Sequence, residues 1–155
     1  MTTDATAELE AHGTAERLRA AGLKVTAQRV AVFEALSGHG EHLDAEAVFE
    51  RVRTCLPTTS LQAVYGVLGA LSTAGLLRKI EPAGSPALYE SRIGDNHHHL
   101  ACTGCHRVVD VECVVGEAPC LTPSNADGFQ IHTAEVTFWG LCDACQRTTA
   151  SEPQG

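Results

Sequence analysis

Two cysteine pairs, Cys102-Thr-Gly-Cys105 and Cys142-Asp-Ala-Cys145, limit what this chain can fold into more than any other feature. A C-x-x-C turn lets two thiolates take adjacent corners of a tetrahedron, and two such turns complete a four-sulfur zinc site. The gap between the pairs is longer than in a simple zinc ribbon. Strands are therefore expected between them, with zinc stapling the start of a C-terminal domain to its end. Four sulfurs close the coordination shell, which points to structure and not catalysis. A thioredoxin-like redox pair is the alternative for either turn alone, but no βαβ pattern surrounds them.

Composition points to a reducing compartment. Among 155 residues there are seven cysteines, an odd number that cannot pair off completely. No apolar run nears the roughly 18 residues of a membrane span. The N-terminus "MTTDATAELEAHG" is acidic where a secretion signal would be basic and then apolar. A cytoplasmic globular protein with no membrane partner is expected. The net charge of −8 argues against nonspecific coating of nucleic acid. Its distribution still leaves room for a local positive face. Arg17, Arg19, Lys24 and Arg29 fall in one acid-free stretch, and Arg51, Arg53, Arg78 and Lys79 in another.

Residues 14 to 76 read as four helices. "TAERLRAAG" ends at Gly22, and "TAQRVAVFEALSGHG" opens on a capping threonine and stops at Gly38 and Gly40. "DAEAVFERVRTCLP" starts on Asp44, and "TSLQAVYGVLGALSTAG" starts on Thr59 or Ser60, carrying Leu61, Val64, Leu68 and Leu71 along one face. The β-like runs in "LLRKIEPAGSPALYES" then close a winged helix-turn-helix pattern over residues 1–91. Over residues 92–155, "HHLAC", "RVVDVECVV" and "FQIHTAEVTFWGLC" read as strands. A short helix is expected near residues 119–128 and a disordered tail in "QRTTASEPQG".

The histidines of "DNHHHLAC" need a second site, since four sulfurs saturate the first. On a strand His97 and His99 share one face and His98 takes the other. Two imidazoles so spaced can grip a first-row metal, to which Asp110 and Glu90 would add oxygen ligands. Solvated strand histidines are the alternative.

Several segments carry a family likeness: "AGLKVTAQRVAVFEAL", "HLDAEAVFERV", "SLQAVYGVLGALSTAGLL", "HHHLACTGCHRVVDV" and the terminal "CDAC". Together they make the chain resemble the ferric uptake regulator family of metal-responsive transcriptional repressors, from about residue 14 to residue 146. The resemblance implies an α+β chain, a winged helix DNA-binding domain followed by a small α/β dimerisation domain. It implies a non-enzymatic homodimer on a pseudo-palindromic double-stranded DNA operator, with no small-molecule substrate. It places a regulatory ion, Fe2+ or Mn2+ with Zn2+ also suitable, on His42, Glu90, His97, His99 and Asp110. Aspartate at position 110 matches the peroxide-sensing branch, in which a ligand histidine is oxidised; the matching residues are His42 and His97. Further likeness to the actinobacterial FurA subgroup implies control of a catalase-peroxidase gene and of the chain's own gene. Metal-responsive repression without peroxide sensing is the alternative, and a zinc hydrolase or deaminase is the distant one.

On the recognition helix the resemblance makes Tyr65 the DNA-contacting residue, with Ser60 and Gln62 beside it. A core aromatic is the other reading of Tyr65. Ala63 and Gly66 depart from the usual threonine and arginine, which should alter operator preference. Arg29 and Lys24 are candidate phosphate contacts or ordinary solvated charges. A third metal site, present in some members, would fall on His98 and Glu117, with His132 two residues from the aligned position Ala134. Cys55 is expected to pack as a small hydrophobe. Cys113 and Cys120 are either a thiol switch or inert buried thiols.

Overall fold

The structure, a computed structural model, describes residues 3–37, 41–115 and 120–150, with side chains from residue 12 onward. The chain divides into two compact units, Met1–Ile93 and Gly94–Gly155.

In the first unit the helices are α1 (Thr3–Ala20), α2 (Ala27–Ala35), α3 (Ala45–Cys55) and α4 (Leu61–Thr73). Three of them begin on the caps expected from sequence. Thr26 Oγ1 accepts from Arg29 N–H at 3.2 Å, Asp44 Oδ1 from Ala47 N–H at 2.7 Å, and Ser60 Oγ from Ala63 N–H at 3.1 Å. Each such cap is worth about 1 kcal/mol. Helices α1 and α4 stop where Gly22 and Gly75 take φ of 77° and 74°. The next N–H reaches back five residues, Leu23 to Leu18 at 2.9 Å and Leu76 to Leu71 at 3.0 Å, a turn that favours glycine.

One apolar stripe from each helix meets in a common core of Leu18, Val32, Phe33, Leu36, Val48, Val52, Val64, Leu68 and Leu71. Leu61 packs against it and is only partly buried. The chain then forms β2 (Arg78–Ile80) and β3 (Leu88–Glu90), the expected hairpin. A further strand, β1 (Leu43–Asp44), completes a sheet of order β1-β3-β2. Two residues are too few to show a strand period, so β1 is invisible without its partner. Helix α1 starts well before residue 14, because "ATAELEA" is rich in strong helix formers. Helix α2 ends at Ala35; Gly38 and Gly40 lie outside the described residues.

The second unit is a sheet of order β5-β4-β6, built from β4 (His97–Cys102), β5 (Val108–Glu112) and β6 (Thr137–Gly140). Strand β4 runs antiparallel to β5 and parallel to β6. Of the expected strand at Phe129–Cys142, only Thr137–Gly140 pairs; the alternating segment before it has no ladder partner within the described chain. The helix expected near residues 119–128 is absent from the described part of that segment. Asn125 Oδ1 instead accepts from Asp127 N–H at 3.0 Å, a local turn that competes with helix. The tail is corrected in the other direction. Asp143–Ala150 forms α5, so Gln146 to Ala150 are helical, while residues 151–155 lie outside the described residues. Among the described residues no helix is long and apolar enough to cross a membrane.

Candidate metal centres and nucleic-acid face

The parallel pairing of β6 with β4 sets Cys102 beside Gly140 and so brings the two C-x-x-C turns together. The four sulfurs of Cys102, Cys105, Cys142 and Cys145 lie within 4.8 Å of one another. Cys105 and Cys142 are 3.8 Å apart. With Zn–S bonds of about 2.3 Å, the edge of a tetrahedron is about 3.8 Å, so the cluster fits zinc. Cys142 N–H donates to Cys102 Sγ at 3.3 Å. The turn also requires its glycine: a Cβ at Gly104 would stand 2.9 Å from Cys145 Sγ.

The thiols are electrostatically unequal. Backbone N–H groups of Cys105 and Cys142 lower the Cys102 thiol to about 6, against an ordinary value of 9.0. The neighbouring sulfurs of Cys142, Cys102 and Cys105 push Cys145 up to about 12. Without a cation the cluster cannot hold four thiolates; a divalent ion removes that penalty.

The β4–β5 ladder builds a nitrogen–oxygen face within the same unit. His99 is registered directly across from Asp110. The Nε2 atoms of His97 and His99 lie 3.6 Å and 3.5 Å from one oxygen, Asp110 Oδ1. The two rings meet edge to face at 5.0 Å, and His97, His98 and His99 are all buried, against the solvated alternative. Asp95, which sequence reasoning missed, accepts from His97 Nδ1 at 2.6 Å. A carboxylate only accepts, so Nδ1 holds the proton and Nε2 keeps its lone pair for a metal. Its one sequence signal is an acid two residues before a candidate ligand.

The first unit holds a second nitrogen–oxygen pair. Continuing the β1–β3 register, in which Leu43 faces Tyr89, sets His42 opposite Glu90. His42 Nε2 and Glu90 Oε2 are 2.9 Å apart with both side chains 2% exposed, and Arg78 Nε is 3.9 Å from the other carboxylate oxygen. Ligands about 2.1 Å from one ion stand about 3.0 to 3.4 Å apart, and the separations of 2.9, 3.5 and 3.6 Å fall within about 0.2 Å of that range, close to the spacing of shared coordination.

On the reverse face of β4, His98 groups with Cys113 and Cys120. Burial and the adjacent Cys113 sulfur hold the Cys120 thiol above its ordinary value. His132 is exposed and outside this group, and Glu117 lies outside the described residues.

The ferric uptake regulator family model matches residues 20–139. The chain belongs to that family. It is 56% identical over 137 residues to the transcriptional regulator FurA of Mycobacterium tuberculosis, covering 88% of this chain and 92% of that protein, and the actinobacterial FurA branch fits. The ferric uptake regulator Fur of Helicobacter pylori has the same fold, with a TM-score of 0.67 at 20% identity over 96% of this chain and 95% of that one. A peroxide stress regulator of Campylobacter jejuni aligns at a TM-score of 0.51 and 26% identity, covering 63% of this chain and 67% of that one. As a member of the ferric uptake regulator family, the chain is a transcriptional regulator and not an enzyme.

In this regulator α4 turns Gln62, Tyr65, Gly66 and Gly69 to solvent. Tyr65 is 52% exposed, which removes the core reading. Ser60 caps α4 with its hydroxyl. Arg29 Nη1 donates to Lys24 O at 2.8 Å, which braces the turn before α2 and leaves further guanidinium donors. Arg51, Arg53 and Lys79 are paired with Glu41, Glu50 and Glu81, acids that lie outside the acid-free stretch 51–80. Cys55 is also corrected: it is exposed, because it ends α3 past the buried stripe, and its Sγ bonds Val52 O at 3.2 Å.

Proposed function

We propose that the chain is a homodimeric, metal-dependent repressor that binds a pseudo-palindromic DNA operator and releases it on exposure to peroxide. The observation that carries this reading is the buried His97–His99–Asp110 face, with two imidazole nitrogens aimed at a single aspartate oxygen. One ion drawing ligands from this face and from His42 and Glu90 would couple residues 1–91, the DNA-binding domain, to residues 92–155, the dimerisation domain. Metal affinity that differs between domain arrangements then shifts the population toward the DNA-binding form. Zinc on the four cysteines holds the second domain together.

Ferrous iron held by the nitrogen–oxygen ligands would activate peroxide there as a catalyst, with no net electrons of its own consumed. The protein contributes His42 and His97 as the carbon centres that are oxidised. One peroxide oxygen is added to the ring carbon between the nitrogens, the other leaves as water, and the histidine gains one oxygen. Asp95 accepts the Nδ1 proton of His97 and so leaves that ring's Nε2 lone pair for the ion, to which Asp110 adds a carboxylate oxygen. The likeness to a peroxide stress regulator supports this reading, and the high identity to FurA supports the role of transcriptional regulator. Control of a catalase-peroxidase gene and of the chain's own gene is part of the same proposal, suggested by the subgroup resemblance in the sequence. Repression by iron or manganese without peroxide release is the second reading, favoured by the same ligands.

Recognition of DNA falls to α4, with Tyr65 and Gln62 at base edges and Lys24 and Arg29 at phosphates. Leu100, Phe138, Trp139 and Leu141 expose apolar side chains around a groove of about 640 Å³, and a second copy would cover them. The test is binding to the chain's own promoter region, loaded with Mn(II) or Fe(II), before and after stoichiometric peroxide. Release from the iron form alone, with one added oxygen on the His42 or His97 peptide, supports peroxide sensing. Release from neither form leaves metal-responsive repression.

A further inference from the structure

Strand alternation gives β4 a second face with different chemistry. His98 points away from His97 and His99, and Cys120 Sγ lies 3.1 Å from its Nε2. A ring nitrogen of His98 and the sulfurs of Cys113 and Cys120 lie within 4.8 Å of one another. His98 is 6% exposed, and its Nδ1 has no hydrogen-bond partner among the described residues. A thiol is a weak hydrogen-bonding group, so Cys120 alone satisfies this buried imidazole poorly.

We propose that His98, Cys113 and Cys120 form a second thiolate metal site for a thiophilic d10 ion, with Zn(II) as the divalent example. Two thiolates and an imidazole select Zn(II) over Mn(II) or Fe(II), the reverse of the preference on the nitrogen–oxygen face. A tetrahedral zinc holds sulfurs about 3.8 Å apart and sulfur about 3.5 Å from nitrogen. The observed spread needs to close by no more than about 1 Å. On binding, each thiol gives its proton to solvent, so Zn(II) plus two thiols yields the neutral dithiolate and two protons. Three protein donors leave one corner to solvent, which makes the ion exchangeable, unlike one closed in by four cysteines. The resemblance implies His98 with the carboxylate Glu117 at a third site; the two thiols supply a softer donor set and change the ion taken.

The site stands on the second unit alone and does not depend on the peroxide reading. The test is anaerobic titration of the reduced full-length chain with Co(II), read by the thiolate-to-cobalt charge-transfer band and the tetrahedral ligand-field bands, followed by displacement with Zn(II). The wild type is expected to take up one more thiolate-bound cobalt per chain than the double variant Cys113→Ser/Cys120→Ser. His98→Gln is expected to weaken that equivalent by at least about tenfold. Asp110→Asn leaves it unchanged, because the nitrogen–oxygen face gives no sulfur band; failure of the regulatory reading therefore does not touch this result. Zinc retained at Cys102, Cys105, Cys142 and Cys145 reports that each variant is folded. Equal thiolate-bound cobalt in the wild type and the double variant overturns the proposal, as does a Cys113–Cys120 disulfide that persists after reduction and excludes cobalt.

Discussion

Asp110 stands directly across the β4–β5 ladder from His99, and its Oδ1 lies 3.5 Å from that ring's Nε2 and 3.6 Å from that of His97. A single carboxylate oxygen thus serves two imidazoles, and removing its charge should disable both as a metal grip. Asp110→Asn is expected to raise the Mn(II) concentration needed for half-maximal DNA binding by at least about tenfold, measured by fluorescence anisotropy. An unchanged Mn(II) requirement would place the regulatory ion elsewhere.

Asp95 fixes the tautomer of His97 from a side chain that is 42% exposed. Asp95→Asn can pair with Nδ1 in either tautomer and so releases the lock. The expected result is a loss of about 10-fold or more in metal affinity, with thermal stability within about 0.5 kcal/mol of wild type. Calorimetric metal titration beside a melting curve separates the two effects.

Gly104 has no room for a side chain. A Cβ there would meet Cys145 Sγ at 2.9 Å and Cys145 Cβ at 3.2 Å, so Gly104→Ala must displace the sulfur or the turn. Zinc should leave this variant for a chelator faster than it leaves wild type, measured with a chromogenic chelator. Equal release rates would falsify the assignment of this turn to a closed tetrahedral site.

The same cluster predicts a pH dependence for the metal-free, reduced chain. Cys102 titrates at about 6 when folded, below its ordinary 9.0, so it contributes stability above pH 9 that is lost as the pH falls through 6. Cys145 is raised to about 12, so its contribution is present below pH 9 and lost as the pH rises toward 12. Stability from these two thiols therefore climbs between about pH 6 and 9 and declines above it. Urea melts at several pH values should show the acid-side slope reduced in Cys102→Ser.

Gly66 lies on the exposed face of α4 with nothing within 4 Å of an added Cβ. Gly66→Ala should stabilise the chain by about 0.5–1 kcal/mol, the ordinary helix penalty of glycine. Tyr65→Ala, beside it and 52% exposed, should weaken operator binding while leaving the urea midpoint close to wild type. A large drop in stability instead would return Tyr65 to a packing role.

Much of the architecture was legible because it is local. Thr26, Asp44 and Ser60 announce helix starts by bonding an N–H three residues on, and Gly22 and Gly75 announce stops by a φ other residues resist. The paired cysteines and the alternation of His97, His98 and His99 likewise follow from turn and strand geometry within a few residues. The tail misled for a related reason: "QRTTA" lacks a helical pattern of its own, yet it continues a turn that begins at Cys142, where Gln146 N–H donates to Cys142 O at 2.9 Å.

By itself, the sequence determined which residues could ligate, cap and pack, since those properties belong to side chains and to spacings of two to five positions. Tertiary structure decided who meets whom. The two-residue strand β1 carries His42 to Glu90, parallel pairing of β6 with β4 closes the four-cysteine cluster, and a bend before β4 turns Asp95 onto His97. These contacts join segments whose separation no periodicity records, and they form because sheet pairing satisfies backbone groups and buries side chains that no local segment could satisfy alone.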